Sequence, residues 1–174
     1  MGATAFFGNA VRSFRRGGDA ILALLLGTIF VSFLAGIVFR YVLNLPMGWA
    51  QELSVVCWLW LVLWGAAFVV EERDEIRFDL LVGAVTPRTR IAMSIVAALS
   101  LIALYGMSLP ATISYVTFMK VEHSAYLKIR LDWLFSIYVI FAVAVIVRYL
   151  WILWRSIRGE DVLAPDVEHV SSGL

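Results

Sequence analysis

Cysteine is almost missing from this chain: Cys57 is the only one among 174 residues. A single thiol cannot close an internal disulfide or run a thiol relay, because both need two sulfurs. Its place inside a long apolar run reads as a small buried side chain. Histidine is nearly as scarce. His123 and His169 both fall in polar stretches, so no inward-facing pair is available to ligate a membrane haem. No set of Cys, His and carboxylate has metal-ligand spacing, and there is no phosphate-binding glycine loop or serine nucleophile elbow. Charge is low, at 16% of residues with a net of +1. No basic cluster is large enough to track a phosphate backbone, which excludes nucleic acid as a partner. Glycine and proline are not in excess, which excludes a fibre or a disordered chain.

What the chain has instead is hydrophobic length. Apolar residues make up 62% of it. They gather in four runs, Ala20–Leu43, Trp49–Val70, Ile91–Phe118 and Trp133–Trp154. A helix needs roughly 20 apolar residues to cross a bilayer, and a soluble core helix seldom stays apolar on all sides for so long. The pattern predicts an all-α membrane protein with four transmembrane helices. Three regions follow: a cytoplasmic, possible amphipathic segment at 1–19, a four-helix domain at 20–157 and a disordered cytoplasmic tail at 158–174. The first run is longer than the 7–15 residues of a signal peptide's apolar region, so it is expected to stay as an anchor.

Basic residues give the expected orientation. Arg12, Arg15, Arg16, Arg73, Arg77, Arg88, Arg90, Arg148, Arg155 and Arg158 fall on one side, and Arg40, Lys120, Lys128 and Arg130 on the other. The excess marks the cytoplasmic side, which places both termini and the middle loop inside. Trp49, Trp133, Trp151 and Trp154 sit at the expected boundaries, as an interfacial aromatic belt does.

The connections carry local signals. Phe7, Val11 and Phe14 have the spacing of a short surface helix, although a frayed tail reads nearly as well. The pair Gly17-Gly18 is expected to break that helix, and Asp19 to cap the first span. Asn44 to Gly48 reads as a tight turn. Ile76, Leu80 and Val85 suggest an apolar strip along the inner surface. Thr86 and Pro87 are a capping residue and a first-turn proline for the third span, and Pro110 is the expected kink inside it. The segment Lys120–Asp132 reads as a wet surface loop, or more sharply as one dipped segment that presents side chains to another protein.

Glu52 is the leading candidate for a special role. It stands about one turn into the second span, where a helix N-terminus favours a carboxylate. Arg40 closes the first span on the same side, so an Arg40–Glu52 ion pair that pins the hairpin is the first expectation. A site for a transported ion or proton lacks a second acidic residue at that depth. Contact with a partner subunit is the third reading. Trp58, Trp60 and Trp64 lie too deep for the belt. Trp60 and Trp64 share a helical face, and either pack within the bundle or dock on another membrane protein. Ser32, Gly36, Gly65 and Ala66 allow close helix approach.

The residues Arg40, Tyr41, Asn44, Pro46, Trp49 and Glu52 carry a resemblance. They match an arginine with an aromatic, then Asn-x-Pro, then Trp with Glu three residues on. This resembles the small membrane subunit of tripartite ATP-independent periplasmic (TRAP) transporters, the DctQ-like family. Gly65, Ile76 and Asp79 also fit, while Glu75 stands where family members often carry histidine. The resemblance covers about residues 15–157. It implies a non-catalytic subunit of the inner membrane with no cofactor of its own. The implied partners are a large membrane subunit, which would bind the driving sodium, a periplasmic substrate-binding protein that captures an organic acid, and membrane lipids. Its motif residues Arg40, Asn44, Pro46, Trp49, Glu52 and Asp79, together with Trp60 and Trp64 singled out by their depth, are expected to serve structure or partner binding. The reading from another class is a self-assembling four-helix transporter that couples ions through Glu52.

Overall fold

The structure, a computed structural model, describes residues 3–45, 48–70 and 86–160, with side chains from residue 17 onward. The elements are α1 (Ala3–Tyr41), α2 (Gly48–Trp64), a π-helical turn (Gly65–Val69), α3 (Pro87–Phe118), a 3-10 turn (Met119–Val121) and α4 (Leu131–Ile157). Four helices are long and apolar enough to cross a membrane: Gly17–Tyr41, Gly48–Val69, Pro87–Val121 and Leu131–Ile157. Each takes in all or nearly all of one apolar run, because a segment without polar side chains must satisfy its backbone internally. The chain divides into two compact units, Met1–Glu72 with Ala111–Phe141, and Arg73–Pro110 with Ala142–Leu174.

In the first unit α1 and α2 form an antiparallel hairpin that small residues permit. A Cβ on Gly36 would stand 3.9 Å from the Ala50 methyl, and Ser32 and Ala50 are both buried. At the other end a Cβ on Gly65 would stand 3.6 Å from Leu22, and one on Gly18 would stand 3.0 Å from Val69. The π turn closes with the Val70 amide donating to the Gly65 carbonyl at 2.9 Å. It leaves Gly65 and Ala67 buried at the α1 contact.

One expectation fails here. Gly17-Gly18 does not end a surface helix, and Asp19 does not cap a new one, because α1 runs unbroken from Ala3 to Tyr41. Glycine inside a helix costs about 1 kcal/mol. Ending the helix there would orphan several backbone groups, and only glycine at 18 lets Val69 come so close.

The signals at α3 hold. The helix starts at Pro87, and the Thr89 amide donates to the Thr86 hydroxyl at 3.4 Å. It continues past Pro110 to Phe118. Its 32 residues correspond to roughly 48 Å, more than the apolar thickness of a bilayer, so tilt or protrusion is required. In the second unit α4 ends on Gly159, whose φ of 86° is left-handed. The Gly159 amide returns to Ser156 and the Glu160 amide to Arg155, a Schellman ending that spares the last carbonyls. There the Arg158 guanidinium lies 3.6 Å from the Trp154 ring centre, and Trp151 packs on Trp154 at 5.0 Å. That is the arrangement an aromatic belt at a charged boundary requires.

Few side chains are buried. The buried positions among the described residues are mostly small, such as Ala50, Ala67 and Ala98, with Ile137, Val145 and Ile152 the larger ones. Long apolar side chains on every helix face outward, including Leu24, Phe30, Phe33, Leu104, Met107 and Val147. The strip proposed at Ile76, Leu80 and Val85 lies outside the described residues, as do Pro46, Asp79 and the tail after 160.

Candidate functional site

The polar residues of the first unit converge at the end where α2 begins. After α1, Asn44 adopts a left-handed φ of 54°, a conformation asparagine tolerates, and the Leu45 amide donates back to the Phe39 carbonyl at 3.1 Å. This ends α1 and reverses the chain toward Gly48. Trp49 and Trp133, at the starts of α2 and α4, are both exposed, which suits boundary residues.

The segment 122–130 is not a loose loop. The Ser124 amide donates to the Ile129 carbonyl at 2.9 Å, the Leu131 amide to the Glu122 carbonyl at 3.0 Å, and His123 bridges Arg130 in antiparallel fashion. The Ile129 amide also donates to the buried Ser124 hydroxyl at 3.1 Å. The result is a short hairpin with Tyr126 and Leu127 at its tip. Arg130 and Asp132 then pair through two bonds, 3.1 Å and 2.6 Å, at the start of α4.

Glu52 holds the tip. Its Oε2 accepts the Tyr126 amide at 2.7 Å and the Leu127 amide at 3.3 Å. The Ser124 side chain lies beside the same carboxylate, and Lys128 is the cation near enough to act on it. Hydrogen bonds to a charged acceptor contribute about 1.5–3 kcal/mol each. One helical turn earlier is Gly48, where a Cβ would collide with the Tyr126 ring. Gly48 and Glu52, at i and i+4, thus form one seat on α2 for the hairpin tip. Within the hairpin Lys128 has a φ of 54°, a left-handed conformation that costs a residue with a Cβ about 1 kcal/mol.

The expected Arg40–Glu52 pair is therefore replaced. Arg40 is exposed and has no ion pair among the described residues, while Glu52 Oε2 is taken by main-chain donors and its enclosed Oε1 has no partner among the described residues. The amides win because they are fixed by the hairpin, whereas a long arginine must give up side-chain freedom to reach the same oxygens.

The tryptophans of α2 separate into different roles. Trp60 Nε1 donates to the Leu134 carbonyl at 3.1 Å, so this ring ties α2 to α4 within the chain. Trp64 packs on Phe68 with ring centres 4.6 Å apart, and its enclosed Nε1 has no acceptor among the described residues. The outward one is Trp58, 59% exposed. The sequence reading had given Trp60 and Trp64 one shared face, and the structure spends the first on an internal contact.

Four span hydroxyls turn back onto their own helices. Thr28, Ser54, Ser100 and Thr117 each donate to the carbonyl four residues earlier, at 2.8–2.9 Å. No group of three or more His, Cys, Asp or Glu among the described residues could hold a metal. Gly48, Ser124, Tyr126 and Leu127 were missed as site residues. The signal for them was weak: a carboxylate near the apolar boundary needs donors, and glycine one turn before it leaves room for a ring.

The family model for tripartite ATP-independent periplasmic transporters, DctQ component, matches residues 29–159. The C4-dicarboxylate TRAP transporter small permease protein DctQ of Vibrio cholerae serotype O1 (strain ATCC 39315 / El Tor Inaba N16961) is 30% identical over 93 residues, covering 51% of this chain and 40% of that protein. The match thus spans less than half the length of that relative. No solved structure matches the chain. With its four apolar helices and a family match that runs from the middle of α1 past the end of α4, this multi-pass membrane protein belongs to the DctQ component family of TRAP transporters.

Proposed function

We propose that this chain is the small membrane subunit of a sodium-driven TRAP transporter for an organic acid. It braces a large transport subunit and helps dock a periplasmic substrate-binding protein. The observation that carries this reading is the family membership over residues 29–159. The outward apolar surfaces support it, since a chain that buries so few of its large side chains has surface to offer a membrane partner. Within this reading sodium and substrate belong to the large subunit. The printed name of the Vibrio relative supports an acid of the dicarboxylate class.

Within this reading Arg40, exposed beside the turn, takes its counter-charge from the large subunit, and Trp49 and Trp64 lend it apolar area. Asn44 shapes the turn, and Pro46 and Asp79, which lie outside the described residues, serve the structure or the partner contact. A self-assembling transporter coupled through Glu52 is less well supported, because one oxygen of its carboxylate is already engaged by two amides and no second acidic residue stands at that depth.

The docking role needs the hairpin in the periplasm. Reporter fusions at Ser124 and Met47 should read periplasmic, and fusions at Phe14, Arg77 and Arg158 cytoplasmic, following the excess of basic residues. A cytoplasmic reading at Ser124 would remove the docking role.

A further inference from the structure

We infer that Glu52 is a positioning residue that latches the 122–130 hairpin in the conformation the binding protein recognises, with Tyr126 and Lys128 as the presented groups. This rests on the proposed subunit role and names the element that performs the docking. Three observations on the hairpin carry it. First, its tip is seated twice on α2, by the two amides on Glu52 Oε2 and by the Tyr126 ring over Gly48. Second, the fixing does not bury the tip. Tyr126 remains 64% exposed and Lys128 is also exposed, so the seat orients side chains that still face outward. Third, Lys128 is held in a left-handed conformation that a lysine rarely adopts. Strain of this kind persists where surrounding contacts over-determine it, and it gathers at binding sites.

The partner follows from the chemistry of the tip. A rigid tyrosine beside a lysine suits a folded protein surface with an acidic or carbonyl-rich patch, since tyrosine supplies contact area at low entropic loss. Lipid is the poorer fit. The tip's amides are turned into α2, and a headgroup would ask for no defined hairpin geometry.

The test uses the complete transporter, this chain with its large subunit and binding protein, in proteoliposomes, together with hydrogen exchange on the same complex. Glu52→Ala should speed exchange of the Tyr126 and Leu127 amides by about tenfold or more, the loss expected for a charged hydrogen bond. It should also raise the binding-protein concentration for half-maximal uptake by about tenfold, leaving recovery of the large subunit unchanged. Glu52→Gln keeps an acceptor oxygen in place and should recover most of both losses. Lys128→Ala should raise the required binding-protein concentration without speeding amide exchange. Unchanged exchange in Glu52→Ala overturns the latch. Faster exchange with an unchanged binding-protein requirement overturns the docking role of the hairpin. Uptake by the native complex that never needs binding protein overturns the proposed function instead, and the exchange measurement still reads the latch by itself.

Discussion

Trp60→Ala should be the most damaging truncation within the spans, lowering the stability of the purified chain by about 2–4 kcal/mol. The indole fills space beside α4 and its Nε1 donates to the Leu134 carbonyl. Removing it leaves a cavity and takes away the second bond that the Leu134 carbonyl accepts, its helical partner in α4 remaining. Trp60→Phe keeps most of the volume and loses the bond, so its cost should stay under about 1 kcal/mol, in line with interhelical bonds in membranes. Thermal unfolding in detergent measures both. If Trp60→Ala left the chain as stable as the native one but abolished recovery of the large subunit, the ring would belong to the partner interface and not to the α2–α4 contact.

The second large effect separates two adjacent glycines. Nothing lies within 4 Å of a Cβ on Gly17, whereas one on Gly18 would stand 3.0 Å from Val69. Gly17→Ala should therefore stabilise α1 by about 0.5–1 kcal/mol through helix propensity. Gly18→Leu should destabilise the α1–α2 hairpin by about 1–3 kcal/mol, as overpacking does. The same unfolding measurement reads the pair. Equal destabilisation by both would mean that the glycines form a break in α1, against the continuous helix described above.

That contrast also shows where the sequence was legible. Apolar length alone located four spans, because hydrocarbon leaves a helix few alternatives. Thr86 and Pro87 marked the start of α3 correctly, because capping and a missing amide are local properties of those two residues. The glycine pair misled because its local preference for a break was outweighed by packing against Val69, 51 positions later in the chain. Glu52 was recognised as special from its depth and its place near a helix start. Its partners were not, because they are main-chain amides 74 and 75 residues away. Every residue except proline carries such an amide, so side-chain identities gave no sign of which would arrive. Arginine across the turn was the visible cation, and proximity in sequence made it the natural but mistaken choice. Trp60 followed the same logic: the carbonyl that accepts its N–H carries no sequence mark.

The proposed role as a bracing subunit is tested most directly by uptake of an organic acid into proteoliposomes under an inward sodium gradient, with binding protein present and this chain either included or left out. The account predicts uptake only when the large subunit and this chain are together, and none from this chain alone. Uptake by this chain alone, or undiminished uptake by the large subunit without it, would contradict the account.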